Sequence, residues 1–167
     1  MITTQRLILR QINLSDAPFI LSLLNSPGWL QYIGDRKVRS IAEAEQYITN
    51  APLKSYTDHG FGLMLVAEKE QGTPVGMCGL LKRDSLDQPD LGFAFLPEHM
   101  GKGYALEAAS AIMQYADETL QVDTVAAITV PDNAASVRLL GKLGFVLKER
   151  TRLEGDPEEL LLFLRKK

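Results

Sequence analysis

Apolar positions along the chain follow two rhythms, one of period two and one of period 3.6, and the switches between them mark out the elements. Residues 5–10 set Leu7 and Leu9 against Arg6, Ile8 and Arg10, the alternation of a half-buried strand. Ser15-Asp16-Ala17-Pro18 then supplies capping side chains and a first-turn proline, followed by Phe19, Ile20, Leu23 and Leu24 at helical spacing. Asn25-Ser26-Pro27-Gly28 ends that helix, and residues 29–34 are aromatic without a clear period. Ser40 with Glu43 is a capping-box pattern that starts a second helix, with Ile41, Ala44 and Ile48 as its expected buried stripe.

Two apolar runs, 61–68 and 75–81, flank a polar turn sequence and predict an antiparallel hairpin. A polar loop over 82–89 leads to a strand at 90–96, closed by Pro97, which has no N–H to give to a ladder. Ala105, Ala108, Ala109, Ile112, Met113, Ala116 and Leu120 mark a long helix over 103–120, its small residues suited to lying close on a sheet. The continuous apolar run 124–130 has the pattern of a buried strand, and Pro131-Asp132-Asn133 ends it. Val137, Leu140 and Leu143 predict a further helix stopped at Gly144, after which Phe145-Val146-Leu147 opens a strand. A last strand at 160–164 follows the acidic turn 154–159. The order β-α-α-β-β-β-α-β-α-β-β predicts an α/β (α+β) fold, a mixed, mostly antiparallel six- to seven-stranded sheet flanked by about four helices. No repeat, linker or low-complexity segment interrupts it, so residues 1–167 are expected to form one domain.

Charge and composition narrow the function. A formal net charge of −3 offers no basic field for nucleic acid. No apolar run approaches the roughly 20 residues that span a bilayer, and the N-terminus lacks the basic-then-apolar layout of a signal peptide. Neither a nucleic-acid nor a membrane partner is expected, and the cytoplasm is the expected location. Cys78 is the only cysteine and sits inside an apolar run, so it reads as a buried inert thiol. With two histidines and no cysteine cluster, no metal site is expected.

The chemistry concentrates in residues 91–109, where strand, glycine loop and helix meet. Gly101 and Gly103 flank Lys102 at a helix start, where first-turn N–H groups lack intrahelical partners and the helix dipole favours an anion. A phosphate or pyrophosphate suits that setting. A P-loop needs four residues between its glycines and then Lys followed by Ser or Thr, which this chain lacks. A dinucleotide fingerprint would place its third glycine at Leu106 and an acidic residue at the end of the next strand, and neither is present. The third reading is a coenzyme A pyrophosphate site.

Here a specific resemblance enters. Gly101-Lys102-Gly103-Tyr104-Ala105 after a Leu-Pro strand end, then Asn133-x-x-Ser136 and Lys142-Leu143-Gly144-Phe145, resembles the GNAT superfamily of acetyl-CoA-dependent N-acetyltransferases. Thr4-Gln5-Arg6-Leu7-Ile8-Leu9-Arg10 and Asp16-Ala17 resemble its Rim-type branch, which includes acetyltransferases of ribosomal-protein N-termini. The resemblance implies a sheet splayed between its fourth and fifth strands, with acetyl-CoA as co-substrate in the gap. Backbone groups of Phe93, Ala94, Phe95 and Leu96 would pair with the pantetheine, and Met100, Gly101, Lys102, Gly103, Tyr104 and Ala105 would hold the pyrophosphate. Asn133 and Ser136 would contact the coenzyme from the next helix. Glu98 stands where many members have Gln or Arg.

Acetyl transfer from a thioester to an amine needs a neutral amine, an oxyanion donor and a proton for the leaving thiolate. The backbone N–H of Phe95 or Leu96 is the candidate oxyanion donor. Many relatives protonate the thiolate with a Tyr whose position is Leu140 here, which leaves Ser136 as candidate acid, against the alternative that its hydroxyl caps the helix. The Glu base used in parts of the superfamily matches Ile128, so Asp90, Glu98 and His99 stay open as bases, or positioning alone suffices. On the acceptor side the resemblance brings in Trp29 and Tyr32, with Glu154, Asp156, Glu158 and Glu159 as an acidic rim. The expected activity is transfer of acetyl to a primary amine, either a protein N-terminus or a small molecule. The alternative is a coenzyme A-binding module without catalysis, and a monomer or homodimer fits either.

Overall fold

A computed structural model describes all of residues 1–167. Its eight strands form one sheet: β1 (Ile2–Thr3), β2 (Leu7–Gln11), β3 (Leu63–Glu68), β4 (Pro74–Leu81), β5 (Asp90–Phe95), β6 (Thr124–Thr129), β7 (Val146–Thr151) and β8 (Leu160–Lys166). The spatial order is β1-β2-β3-β4-β5-β6-β8-β7, antiparallel throughout except for β5 against β6. This is the expected mixed, mostly antiparallel sheet, with one strand more than the hydrophobic pattern indicates. The addition is β1, a two-residue edge pairing of Ile2 with Leu9 and Thr3 with Ile8, too short to carry a period.

The helices are α1 (Ala17–Leu24), α2 (Pro27–Tyr32), α3 (Ile41–Ile48), α4 (Lys54–His59), α5 (Tyr104–Glu118) and α6 (Ala134–Lys142). Asn13, rather than Ser15 or Asp16, caps the turn before α1: its Oδ1 accepts from the Ser15 N–H, and the Asp16 carboxylate accepts from the Asn13 N–H. The aromatic stretch without a period is α2, a single short helix behind Pro27. Past α3 the chain widens into a π-type turn at Thr49–Leu53, which holds Pro52, and then continues as α4. The proline, which lacks an N–H, hides this continuation from the sequence pattern. Of the expected stripe on α3, Ala44 and Ile48 are fully buried and Ile41, in the first turn, is 42% exposed.

One face of the sheet is covered by α5 and α6 over the largest core cluster, which includes Leu7, Leu9, Val66, Leu91, Phe95, Ala108, Ala109, Ile112 and Leu140. The small residues of α5 do what their size allows: Ala108, Ala109 and Ala116 are completely buried. Trp29 and residues of α1 and α3 cover the other face over Leu63, Leu65 and Met77. Cys78 is fully buried, and that burial pushes its thiol pKa up, the state of an inert core thiol. No helix is long and apolar enough to cross a membrane.

Candidate active site

The parallel strands β5 and β6 pair at one position only, Asp90 with Ala126, where the Ala126 N–H donates to the Pro89 carbonyl at 2.9 Å. Beyond that point they part, leaving a cleft between the carboxyl end of β5 and that of β6. A helix follows each strand, α5 led by Gly103 and α6 by Asn133, so the starts of both lie at the open end. Crevices at the carboxyl ends of parallel strands, faced by helix N-termini, are the usual ligand sites of α/β sheets.

The wall made by β5 is ordered by its other neighbour. The Leu96 N–H donates to the Val75 carbonyl at 3.0 Å, so in the alternating antiparallel pattern Leu96, Ala94 and Gly92 turn their backbone groups toward β4. Phe93 and Phe95 turn theirs into the cleft. Leu96 is therefore already committed, and Phe95 is the candidate oxyanion donor that remains. Close approach of the two strands depends on Gly76, where a Cβ would come within 2.4 Å of the Ala94 carbonyl oxygen and 2.6 Å of the Phe95 ring.

At the mouth, Gly101 and Gly103 adopt φ of +77° and +81°, a left-handed backbone that strains residues with a Cβ. The N–H groups of Gly101, Lys102, Gly103, Tyr104, Ala105 and Leu106 donate to no acceptor in the chain, and the first helical bond runs from the Glu107 N–H to the Gly103 carbonyl. Six consecutive free donors around two left-handed glycines form a concave anion nest at the positive end of α5. Lys102 adds a cation, its Nζ lying 3.3 Å from Nδ1 of His99 and 5.7 Å from the Tyr104 ring centroid. Met100 is exposed, and its methyl lies 3.5 Å from where a Cβ on Gly28 would stand, so α2 reaches the loop.

Across the cleft, Asn133 caps α6 by accepting the Ser136 N–H at 3.2 Å through its Oδ1. The cap is therefore the Asn133 carboxamide. The Ser136 hydroxyl makes no hydrogen bond within the chain, and neither does the Asn133 NH2. Leu140 is 1% exposed within the main core, and Ile128 is half-buried beside the small cluster of Leu86, Ala126 and Leu162.

The three base candidates differ sharply. Asp90, 1% exposed, sits where β5 and β6 still pair, with both carboxylate oxygens 3.1 Å from Nε of Arg83. Burial raises its pKa, against the opposing pull of Arg83. Glu98 is exposed with no partner. His99 faces back toward Glu68, its Nδ1 3.8 Å from the carboxylate. On the acceptor side Trp29 is 6% exposed, its indole N–H buried without a partner, and Tyr32 is half-buried in the same short helix. The acidic turn is exposed, and within it Glu159 is paired with Arg150 at 2.7 Å.

A sheet opened between two parallel strands, with an anion nest at its mouth, defines a class, and sequence comparison agrees with it. The acetyltransferase (GNAT) domain family matches residues 6–146, and the chain belongs to that family. The uncharacterized N-acetyltransferase YoaA of Bacillus subtilis (strain 168) is 30% identical over 160 residues, covering 92% of this chain and 89% of the relative. Among solved structures, an acetyltransferase from Agrobacterium tumefaciens (strain C58) superposes with a TM-score of 0.84 at 25% identity, covering 99% of this chain and 94% of that one. Two others share the fold at lower identity. RimL, a ribosomal L7/L12 alpha-N-protein acetyltransferase in complex with coenzyme A, gives a TM-score of 0.82 at 18% identity, covering 98% and 95%. Spermidine N-acetyltransferase of Vibrio cholerae with coenzyme A and spermine gives 0.80 at 20%, covering 98% and 96%. The protein is an acetyl-CoA-dependent acetyltransferase of the GNAT fold.

Proposed function

We propose that this acetyltransferase moves the acetyl group from acetyl-CoA directly onto a primary amine, a protein N-terminus or a small-molecule amine. The observation that carries this reading is the cleft itself: strands that part after one pair, with the free backbone of Phe93 and Phe95 on one wall and six unpaired N–H donors at the mouth. Phe93 and Phe95 offer the pantetheine a strand edge, the residues from Gly101 to Leu106 receive the pyrophosphate, and the Asn133 NH2 faces the coenzyme from α6. The donor supplies an activated thioester, so the chain has only to orient it and manage protons. The Phe95 N–H polarises the thioester carbonyl, and the unengaged Ser136 hydroxyl donates a proton toward the departing sulfur. Asp90, the only carboxylate on β5, is the candidate proton acceptor at the cleft floor; it lies five residues before Phe95, roughly 17 Å at the strand rise, so it serves the amine through intervening water and not by contact. Trp29 and Tyr32 flank the acceptor. RimL and the spermidine enzyme take different amines on this fold, in keeping with an amine acceptor and not choosing between the two kinds.

The test is thiol release from acetyl-CoA with a panel of polyamines, amino-acid amines and N-terminal peptides, with the N-acetyl product identified by mass. Turnover on one class of amine is expected. Tight coenzyme binding with no turnover on any acceptor would instead make the chain a coenzyme-binding module, consistent with Leu140 and Ile128 at the two positions where relatives carry proton-transfer side chains.

A further inference from the structure

We infer that Arg6, on the strand edge remote from the reacting atoms, is a positioning residue that sets the pyrophosphate nest; this rests on the coenzyme reading of the loop given above. Arg6 precedes β2, yet its guanidinium lies against the loop 96 residues downstream. Nη1 donates to the Lys102 carbonyl at 2.8 Å, Nε donates to Glu107 Oε1 at 2.8 Å, and Cζ lies 4.7 Å from the Tyr104 ring centroid. Glu107, in the first turn of α5, is fixed in turn: its Oε2 accepts from the Thr4 hydroxyl at 2.6 Å and from the Arg6 N–H at 2.9 Å. One guanidinium thus joins the sheet edge, the loop carbonyl and the helix start.

The consequence follows from peptide geometry. The Lys102–Gly103 peptide is trans, so its carbonyl and its N–H point in opposite directions. Holding the Lys102 carbonyl on the Arg6 side turns the Gly103 N–H the other way, out toward the mouth with the other free donors. Gly103, at φ +81°, is the residue most free to flip that peptide, and a Cβ there would stand 3.3 Å from Arg6 Nη2. Without the clamp the loop keeps its sequence and loses its orientation. Lys cannot replace Arg6, because an ammonium lacks the planar fork that meets a carboxylate and a carbonyl at once.

The experiment compares acetyl-CoA with S-acetyl-pantetheine, a donor without the pyrophosphate, in wild type, Arg6→Met and Arg6→Lys. Wild type should strongly prefer acetyl-CoA. Both variants should raise the acetyl-CoA dissociation constant by about 10–100-fold, the range for a lost charge-assisted hydrogen bond, and leave kcat/KM for acetyl-pantetheine unchanged. Equal losses on both donors would show a general structural role and overturn the clamp. Recovery by Arg6→Lys would overturn it in favour of simple charge attraction, and an intact acetyl-CoA preference in both variants would overturn it outright. If wild type showed no preference for acetyl-CoA, the coenzyme reading of the loop would fail before the clamp came into question.

Discussion

The roles proposed for single residues in the cleft are separable by substitution. Ser136 stands in the first turn of α6 with its N–H capped by Asn133 and its hydroxyl free, so replacing the hydroxyl leaves the helix start intact. Ser136→Ala is expected to lower kcat by about 10²-fold, the lower end for a positioned proton donor, with coenzyme affinity unchanged by calorimetry. A parallel fall in affinity would make Ser136 a binding residue. Trp29 tests a different balance. Its buried indole N–H has no partner, so Trp29→Phe removes an unsatisfied donor along with some ring volume. The two effects oppose, and denaturant titration should show a loss of less than about 1.5 kcal/mol, against about 3–5 kcal/mol for Trp29→Ala. The glycines, Asn133 and Ser136 were legible in sequence because each is a local signal. The tie between Arg6 and Glu107 was not, because hydrophobic period and motif spacing say nothing of which exposed cation meets which carboxylate 101 residues away.

At the scale of elements, the site depends on how closely β4 and β5 approach. Gly76 lies opposite Phe95 in register, and the Phe95 ring occupies the space its side chain would take. Gly76→Ala should push β5 toward the cleft, costing about 1–3 kcal/mol as overpacking does and weakening coenzyme binding alongside. A melt combined with a coenzyme titration checks both, and a destabilised variant with native affinity would mean that β4, not β5, gives way. The long amphipathic α5 and the β3–β4 hairpin could be foreseen from period alone, since each buries a continuous face. α4 could not: Lys54-Ser55-Tyr56-Thr57-Asp58-His59 buries no residue fully, and its helix is inherited from α3 through the widened turn. β7 was foreseen only from the Gly144 stop and the short apolar run 145–147, not from a buried face. Val146 through Arg150 are exposed, Val146 at 70%, so pairing with β8 rather than burial makes it a strand.

Across the whole molecule, three carboxylates tie helices to the sheet, and their titration predicts how acid undoes it. Asp16 pairs with Arg10 at 2.8 Å at the start of α1; Glu107 and Asp117 hold α5 near its two ends, to Arg6 before β2 and to Arg165 of β8, each at 2.8 Å. For Asp16 and Glu107 burial pushes the pKa up, but hydrogen bonds from Arg10 and the Asn13 N–H, and from Thr4 and Arg6, outweigh it. For Asp117 the hydrogen bond from Arg165 leads. All three end below their ordinary values of 3.8, 4.5 and 3.8. A folded-state pKa below the unfolded one means the unfolded chain binds the proton more readily, so this stability is present above the ordinary values and lost as pH falls through the depressed ones. Asp90 runs the other way: burial raises its pKa, so its contribution is full below 3.8 and lost as pH rises through the raised value. Melting temperature should therefore fall as pH drops below about 4, and Glu107→Gln should flatten part of that fall while lowering stability at neutral pH. Asp90→Asn should remove the opposing component, which acts above pH 3.8, and leave the fall below that pH unchanged. Because Glu107 also holds Arg6, coenzyme affinity should decline in the same acid window as α5 loosens; an affinity independent of pH across that window would separate the ion pair from the loop it supports.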